Sequence, residues 1–180
     1  MKAVLDTCVI YPTVMREMLL GAAELGHFTP IWSARILEEW ARAARKLGPE
    51  GEAQARAEIA LTQSHWPKAE RPPAPGLEQR LWLPDSADIH VLATAVAASA
   101  DTIVTLNAKD FPKNILAEED LTRHDPDSLL HTFWQTDPEG LTTIATRVLA
   151  EANRLSGTQW TLRALMKKAR LPRLGKALTT

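Results

Sequence analysis

Four carboxylates stand where an α/β chain would gather a reactive site. Asp6 closes the short apolar run Lys2–Leu5. In open α/β sheets, ligands collect beyond the carboxyl ends of the strands. A carboxylate buried there is costly unless it is paired or bound to a cation; the competing reading is an N-cap for the next helix. Glu39 follows Glu38 on a helix opened by Ser33. Position alone does not choose between the two glutamates, and a helical glutamate usually faces solvent. Asp88 ends the segment Pro84-Asp85-Ser86-Ala87-Asp88. Asp85 and Asp88 read either as a helix cap with a dipole-favoured acid in the first turn or as a pair flanking a metal. Asp110 lies in Thr105-Leu106-Asn107-Ala108-Lys109-Asp110-Phe111, just past a β-branched run, where a turn or cap role is the alternative.

If these four acids converge, their repulsion is relieved by a hard divalent cation that prefers oxygen ligands. Mg²⁺ or Mn²⁺ in such a site polarises a phosphodiester oxygen, lowers the pKa of a bound water and stabilises the leaving oxygen. Asp6 and Asp88 are then ligands, Glu39 holds or orients the water, and Asp110 completes the set directly or through water. Thr105 and Asn107 either hydrogen-bond the phosphate or position a carboxylate. Common alternatives are missing: there is no Gly-rich phosphate loop, no HExxH and no GxSxG. The five histidines are scattered without ligand spacing and read as surface or packing residues. Cys8 reads as a small core residue beside the site.

The elements that must position these groups alternate. Lys2–Leu5 reads as a buried strand and residues 11–25 as a helix ended by Gly26. Residues 30–32 read as a brief link, residues 34–47 as a helix capped by Ser33, and residues 50–64 as another helix. Residues 67–76 hold four prolines and read as an internal loop. Residues 81–83 are a candidate strand. The next helix has Ile89, Leu92, Ala93 and Val96 at helical spacing, and a strand follows over residues 102–105. A turn at 107–111, a short helix begun by Pro112 and a last strand at 121–123 complete the alternation. Three helices follow with no strand between them, over residues 126–135, 138–155 and 160–169. β/α alternation predicts a mainly parallel sheet covered by helices. The expected division is a core over residues 1–125 and a helical extension over residues 126–180.

Composition bounds the reading further. A chain of 180 residues, 45% hydrophobic and 24% charged, supports a packed core. The single cysteine excludes a disulfide scaffold and a thiolate zinc cluster. No apolar run approaches the roughly 20 residues of a spanning helix, and no signal-peptide pattern opens the sequence; a cytoplasmic protein is expected. The net charge of −1 conceals an asymmetry. From residue 155 onward there are six basic residues and no acidic ones, so that end carries +6 and the rest carries −7. Such a stretch suits a polyanion or an acidic partner, or is a solvated helix face. Of the six tryptophans, Trp134 and Trp160 fall in the extension, as packing anchors or as stacking surfaces.

Taken as an ordered set, four segments resemble the PIN-domain nucleases: Val4-Leu5-Asp6-Thr7-Cys8-Val9-Ile10, Trp32 to Glu39, Leu83 to Ala93, and Ile103 to Pro112. The resemblance covers about residues 1–125. It implies a three-layer α/β/α fold around a parallel sheet, with the C-terminal helical extension outside the core pattern. It also implies a Mg²⁺- or Mn²⁺-dependent endoribonuclease of the VapC-like toxin kind. Asp6, Glu39, Asp88 and Asp110 match the acidic set. Glu39 is preferred to Glu38 because it immediately precedes the apolar Trp40. Asn107 sits where some members carry an aspartate, which leaves Asn107 and Asp110 as alternatives for the fourth role. Such toxins are similar in being held by a cognate antitoxin, often as dimers, and structured RNA such as tRNA is an implied target. An acidic cleft repels phosphates, so basic residues are expected to steer the RNA; Arg163, Lys167, Lys168 and Arg170 are the candidates. The alternatives are a catalytically weak binding module using the same cleft and an aspartyl phosphatase or phosphoacceptor domain. The phosphatase usually needs a second aspartate where Cys8 stands.

Overall fold

A computed structural model describes all residues, Met1–Thr180. In chain order the elements are β1 (Lys2–Leu5), α1 (Thr7–Ile10), α2 (Thr13–Glu24), β2 (Thr29–Ser33), α3 (Ala34–Ala43), α4 (Gly51–His65) and β3 (Glu70–Arg71). They continue with α5 (Pro75–Arg80), α6 (Ile89–Ala97), β4 (Thr102–Val104), α7 (Lys113–Ala117), β5 (Thr122–His124), α8 (Pro126–Thr136), α9 (Pro138–Ser156), α10 (Leu162–Lys168) and α11 (Pro172–Ala177). Short 3₁₀ turns at Ala44–Leu47 and Ser86–Asp88 extend α3 and introduce α6.

The five strands form one sheet in the order β3-β2-β1-β4-β5, a parallel sheet with helices on both sides and a helical C-terminal region. The chain moves outward from β1 through β2 to β3, then returns to place β4 on the other side of β1. That reversal between β1 and β4 is the crevice where open α/β sheets bind ligands. Leu5 pairs with Val104, so the residues just beyond them, Asp6 and Thr105, emerge side by side at the same sheet edge. Ala3, Val4, Leu5, Ile103 and Val104 are fully buried, as β-branched and aliphatic side chains on a sheet covered on both faces should be.

Several local expectations are corrected. Residues 67–76, expected as a loop, hold β3 and the start of α5, and α11 follows the three expected C-terminal helices. Residues 30–32, expected as a link, lie in β2, despite Pro30. Thr29 donates to Met1 and Trp32 donates to Ala69, so alternate amides face β1 and β3. The missing N–H of Pro30 therefore faces the β3 side, where pairing begins only at Trp32. Residues 81–83, expected as a strand, are extended but join no sheet. Leu81 closes α5 by donating to the Leu77 carbonyl. Leu81 and Leu83 are buried while Trp82 is 61% exposed, so the alternation is real without strand pairing.

The chain divides into two compact units. The first comprises residues 1–11 and 29–123 and holds the sheet down to Arg123. Within it, Ser33 caps α3 by accepting from the Ile36 amide at 3.2 Å. Ile36, Leu37, Trp40 and Ala41 form the buried stripe of α3. The second unit gathers residues 12–28 with residues 124–180. The helix at 13–24 thus packs with the C-terminal helices, whereas the sequence had grouped it with residues 1–125. Gly21 allows this: a Cβ there would sit 2.6 Å from Cγ2 of Ile144 on α9. His27 stacks on Phe133 and its Nε2 lies 3.1 Å from Oδ2 of Asp137, the residue that caps α9.

Candidate active site

Asp6 performs both roles that its position allows. Oδ1 accepts from the Thr7 amide at 2.7 Å and caps α1. Oδ2 accepts from Thr105 Oγ1 at 2.7 Å and from Cys8 Sγ at 3.2 Å. The carboxylate is only 7% exposed, and these donors meet the requirement that a buried acid be satisfied. Thr105, itself 2% exposed, also accepts from the Asn107 amide at 3.0 Å. Its hydroxyl is therefore committed to holding Asp6 and the start of the following loop.

The Cys8 thiol lies within this group. Burial, then the Asp6 charge, pushes it up to about 12. It is a protonated packing residue at neutral pH and not a nucleophile. In the native protein at pH 8, Cys8 should react with a disulfide reagent such as DTNB at a small fraction of the rate seen in denaturant. Equal rates would show that the thiol is neither buried nor held protonated.

On α3 the two adjacent glutamates part company. Glu38 points to solvent, where Arg56 and Arg42 hold its carboxyl down at about 2. Glu39 turns inward. Its Oε2 accepts from Thr7 Oγ1 at 2.9 Å, and its Oε1 lies 2.8 Å from His90 Nε2. That histidine contact is close, but too poorly aligned to satisfy the ring nitrogen as a hydrogen bond. Burial works to raise the Glu39 carboxyl, yet the neighbouring His90, Thr7 and Arg35 outweigh it and leave it lowered. Glu39 thus stays ionised at neutral pH.

The remaining acids meet at the α6 end. Asp85 caps the 3₁₀ turn by accepting from the Ala87 amide at 2.9 Å. Carboxylate oxygens of Asp85, Asp88 and Asp110 all lie within 4.8 Å of one another. The Asp88 carboxyl is raised to about 6, first by burial and then by the charges of Asp6, Asp85, Asp110 and Glu39. Asp6, Asp85, Asp110 and Glu39 therefore all act electrostatically on Asp88. Asp6 lies outside the tight triplet, and Thr7, Cys8 and Thr105 engage its oxygens. Asn107 donates its side-chain amide to Asp110 Oδ2. It orients that acid without neutralising it. The donor set of crowded carboxylate oxygens, with no thiolate among them, fits a hard divalent cation.

Asp85, for which a cap and a metal-flanking role were both open, caps the turn and also joins the triplet. Two contributors escaped the sequence reading. His90, 4% exposed on the first turn of α6, supports Glu39 across the site; its placement two residues after Asp88 was the available signal. Arg123 donates Nη1 to the carbonyls of Ala108 at 2.7 Å and Phe111 at 2.8 Å, and so pins the loop carrying Asp110. No local pattern announces that contact. Arg163, Lys167, Lys168 and Arg170 all lie in the second unit.

A parallel sheet with an acidic cluster at its topological switch point defines the class, an α/β protein whose carboxylates gather beyond the ends of its strands. The chain belongs to the PIN domain family, whose model matches residues 2–109, more than half its length. No curated protein matches it, and no solved structure does. PIN domains are generally nucleases that bind RNA, and they usually use divalent metals. No helix is long and apolar enough to cross a membrane.

Proposed function

We propose that this chain is a metal-dependent endoribonuclease that hydrolyses RNA phosphodiester bonds as the toxin of a type II toxin–antitoxin pair. The observation that carries the reading is the meeting of Asp85, Asp88 and Asp110 within 4.8 Å inside a PIN domain. Asp88 and Asp110, with Asp85 and with Asp6 alongside, would hold Mg²⁺ or Mn²⁺. When bound, the cation supplies Lewis acidity to the phosphodiester and activates water as a nucleophile.

The chain's own groups do the rest. Glu39 stays ionised and fixed between His90 and Thr7, so its carboxylate accepts a hydrogen bond from the attacking water and orients it. Thr105 fixes Asp6, and Asn107 fixes Asp110. Of the two roles foreseen for Thr105 and Asn107, the observed hydrogen bonds support positioning of carboxylates over direct contact with phosphate. The protonated Cys8 thiol donates to Asp6 and helps to hold it. The resemblance to VapC-like toxins supports a cytoplasmic RNA target such as tRNA, an antitoxin that covers the acidic pocket, and a homodimer.

The deciding experiment is cleavage of labelled total RNA and tRNA by the purified chain with Mg²⁺ or Mn²⁺, then with EDTA, alongside Asp6→Asn. Cleavage that needs the metal and the aspartate supports the reading. RNA binding with no cleavage under any metal condition would replace it with the binding-module alternative.

A further inference from the structure

The second unit carries an unneutralised basic surface on α10 and α11. Leu165, Met166, Leu171 and Leu174 form the buried side of this helix pair. The helices approach closely because residue 175 is glycine: a Cβ there would lie 2.8 Å from that of Met166. With the apolar side turned inward, Arg163, Lys167, Lys168, Arg170, Arg173 and Lys176 are all exposed. Arg163 and Lys167 share a helix face at i, i+4.

These six differ from most of the arginines elsewhere. Arg42, Arg45, Arg56, Arg80, Arg147 and Arg154 each meet a glutamate. In the acid-free stretch from residue 155 no side chain meets a carboxylate. Lys168 lies instead over the Trp160 ring at 4.6 Å, and Arg173 Nη1 reaches Ser128 Oγ at 3.5 Å. The nearest acid, Asp127, spends both oxygens on the backbone amides of Arg173 and Leu174, capping α11. Cations held close together on a folded surface repel one another, and a polyanion relieves that repulsion.

We propose that this face, built on Arg163, Lys167, Lys168 and Arg170 with Arg173 and Lys176 beside them, binds the phosphodiester backbone of RNA without reading its bases. The proposal deepens the ribonuclease reading and rests on it. An acidic catalytic pocket repels phosphate, so affinity for RNA requires a cationic surface, and this is the longest acid-free stretch of the chain and the one with six basic residues. The Trp160 ring is already covered by Lys168, so sequence-independent binding is expected.

The test measures fluorescence anisotropy of labelled uridine and adenosine homopolymers with the full chain in EDTA, over a salt series. Both RNAs should bind alike. Combining Arg163→Gln, Lys167→Gln, Lys168→Gln and Arg170→Gln should weaken binding by roughly tenfold or more at low salt. It should also flatten the log–log salt slope by about 3, from four single-strand phosphate contacts. Exchanging each lysine for arginine and each arginine for lysine at the same four positions should preserve both. The proposal is overturned by an unaltered chain that does not bind, by a glutamine variant with unchanged affinity and slope, or by equal loss in the charge-preserving variant. Tighter binding to polyglutamate than to RNA would overturn it in favour of an acidic protein partner. Because binding is read without metal, the two readings fail separately. Binding without any metal-dependent cleavage removes the nuclease and keeps the surface, whereas a glutamine variant that binds and cleaves as before removes the surface alone.

Discussion

Asp88→Asn should lower metal-dependent RNA cleavage by roughly two to three orders of magnitude, the range seen when one charge-stabilising group is removed from a preorganised site. The substitution keeps the side-chain shape and deletes one charge from the triplet with Asp85 and Asp110. The same change should stabilise the protein in EDTA. In the folded chain the Asp88 carboxyl is raised from 3.8 to about 6, by burial and by surrounding carboxylates. A raised folded pKa means that stability is greatest below the unfolded value and is lost as pH rises through the folded one. Relative to Asp88→Asn, wild type should therefore lose stability between about pH 4 and pH 6. Discounted for partial exposure, the variant's advantage at pH 7–8 is about 1–2 kcal/mol. Added Mn²⁺ should raise the wild-type Tm and raise that of the variant less. Thermal melts across pH, with and without Mn²⁺, read all three effects. An Asp88→Asn protein that cleaves like wild type would remove Asp88 from the machinery. One that is no more stable in EDTA would show that the acids do not share a field.

The largest stability loss outside the acids is expected for Trp40→Ala. Trp40 is 2% exposed and anchors the buried stripe of α3 with Ile36, Leu37 and Ala41. Truncation leaves a cavity the size of an indole, which costs about 3–5 kcal/mol. Urea unfolding should show the midpoint falling with little change in m. Cleavage should fall as well in the fraction that remains folded, because Glu39 is the adjacent residue and its carboxylate is placed by the seating of this helix. Glu38→Ala supplies the contrast. It breaks exposed ion pairs with Arg42 and Arg56 and should change stability and cleavage little. Equal effects from the two substitutions would mean that α3 is not seated through Trp40.

Much of this protein was written locally. β1 and Asp6 were legible because an apolar run stops at a carboxylate. α3 was legible from its Ser33 cap and 3.6-residue stripe, and α6 from Ile89, Leu92, Ala93 and Val96. The β/α alternation was enough to predict the parallel sheet. Such signals depend on backbone preference and one-sided burial, both of which a short window of sequence contains. Where they misled, the missing information was a partner. Residues 30–32 read as a link, and only the pairing of β2 with β1, and with β3 from Trp32 onward, makes them a strand. Residues 81–83 alternated like a strand but had no neighbour to pair with. α2 had a clear apolar face, yet nothing in that face named α9 as its partner.

The candidate site divides along the same line. Residue type and order made Asp6, Glu39, Asp88 and Asp110 candidates, and the resemblance to PIN-domain nucleases was needed to prefer Glu39 to Glu38. Tertiary structure decided that Asp85 shares their field, that His90 and Thr7 hold Glu39, that Asn107 serves Asp110, and that Arg123 fixes the loop. The physical reason is that electrostatic coupling follows distance in space. Those distances are set by strand order and register, which bring residue 6 beside residue 105, and no local pattern encodes them.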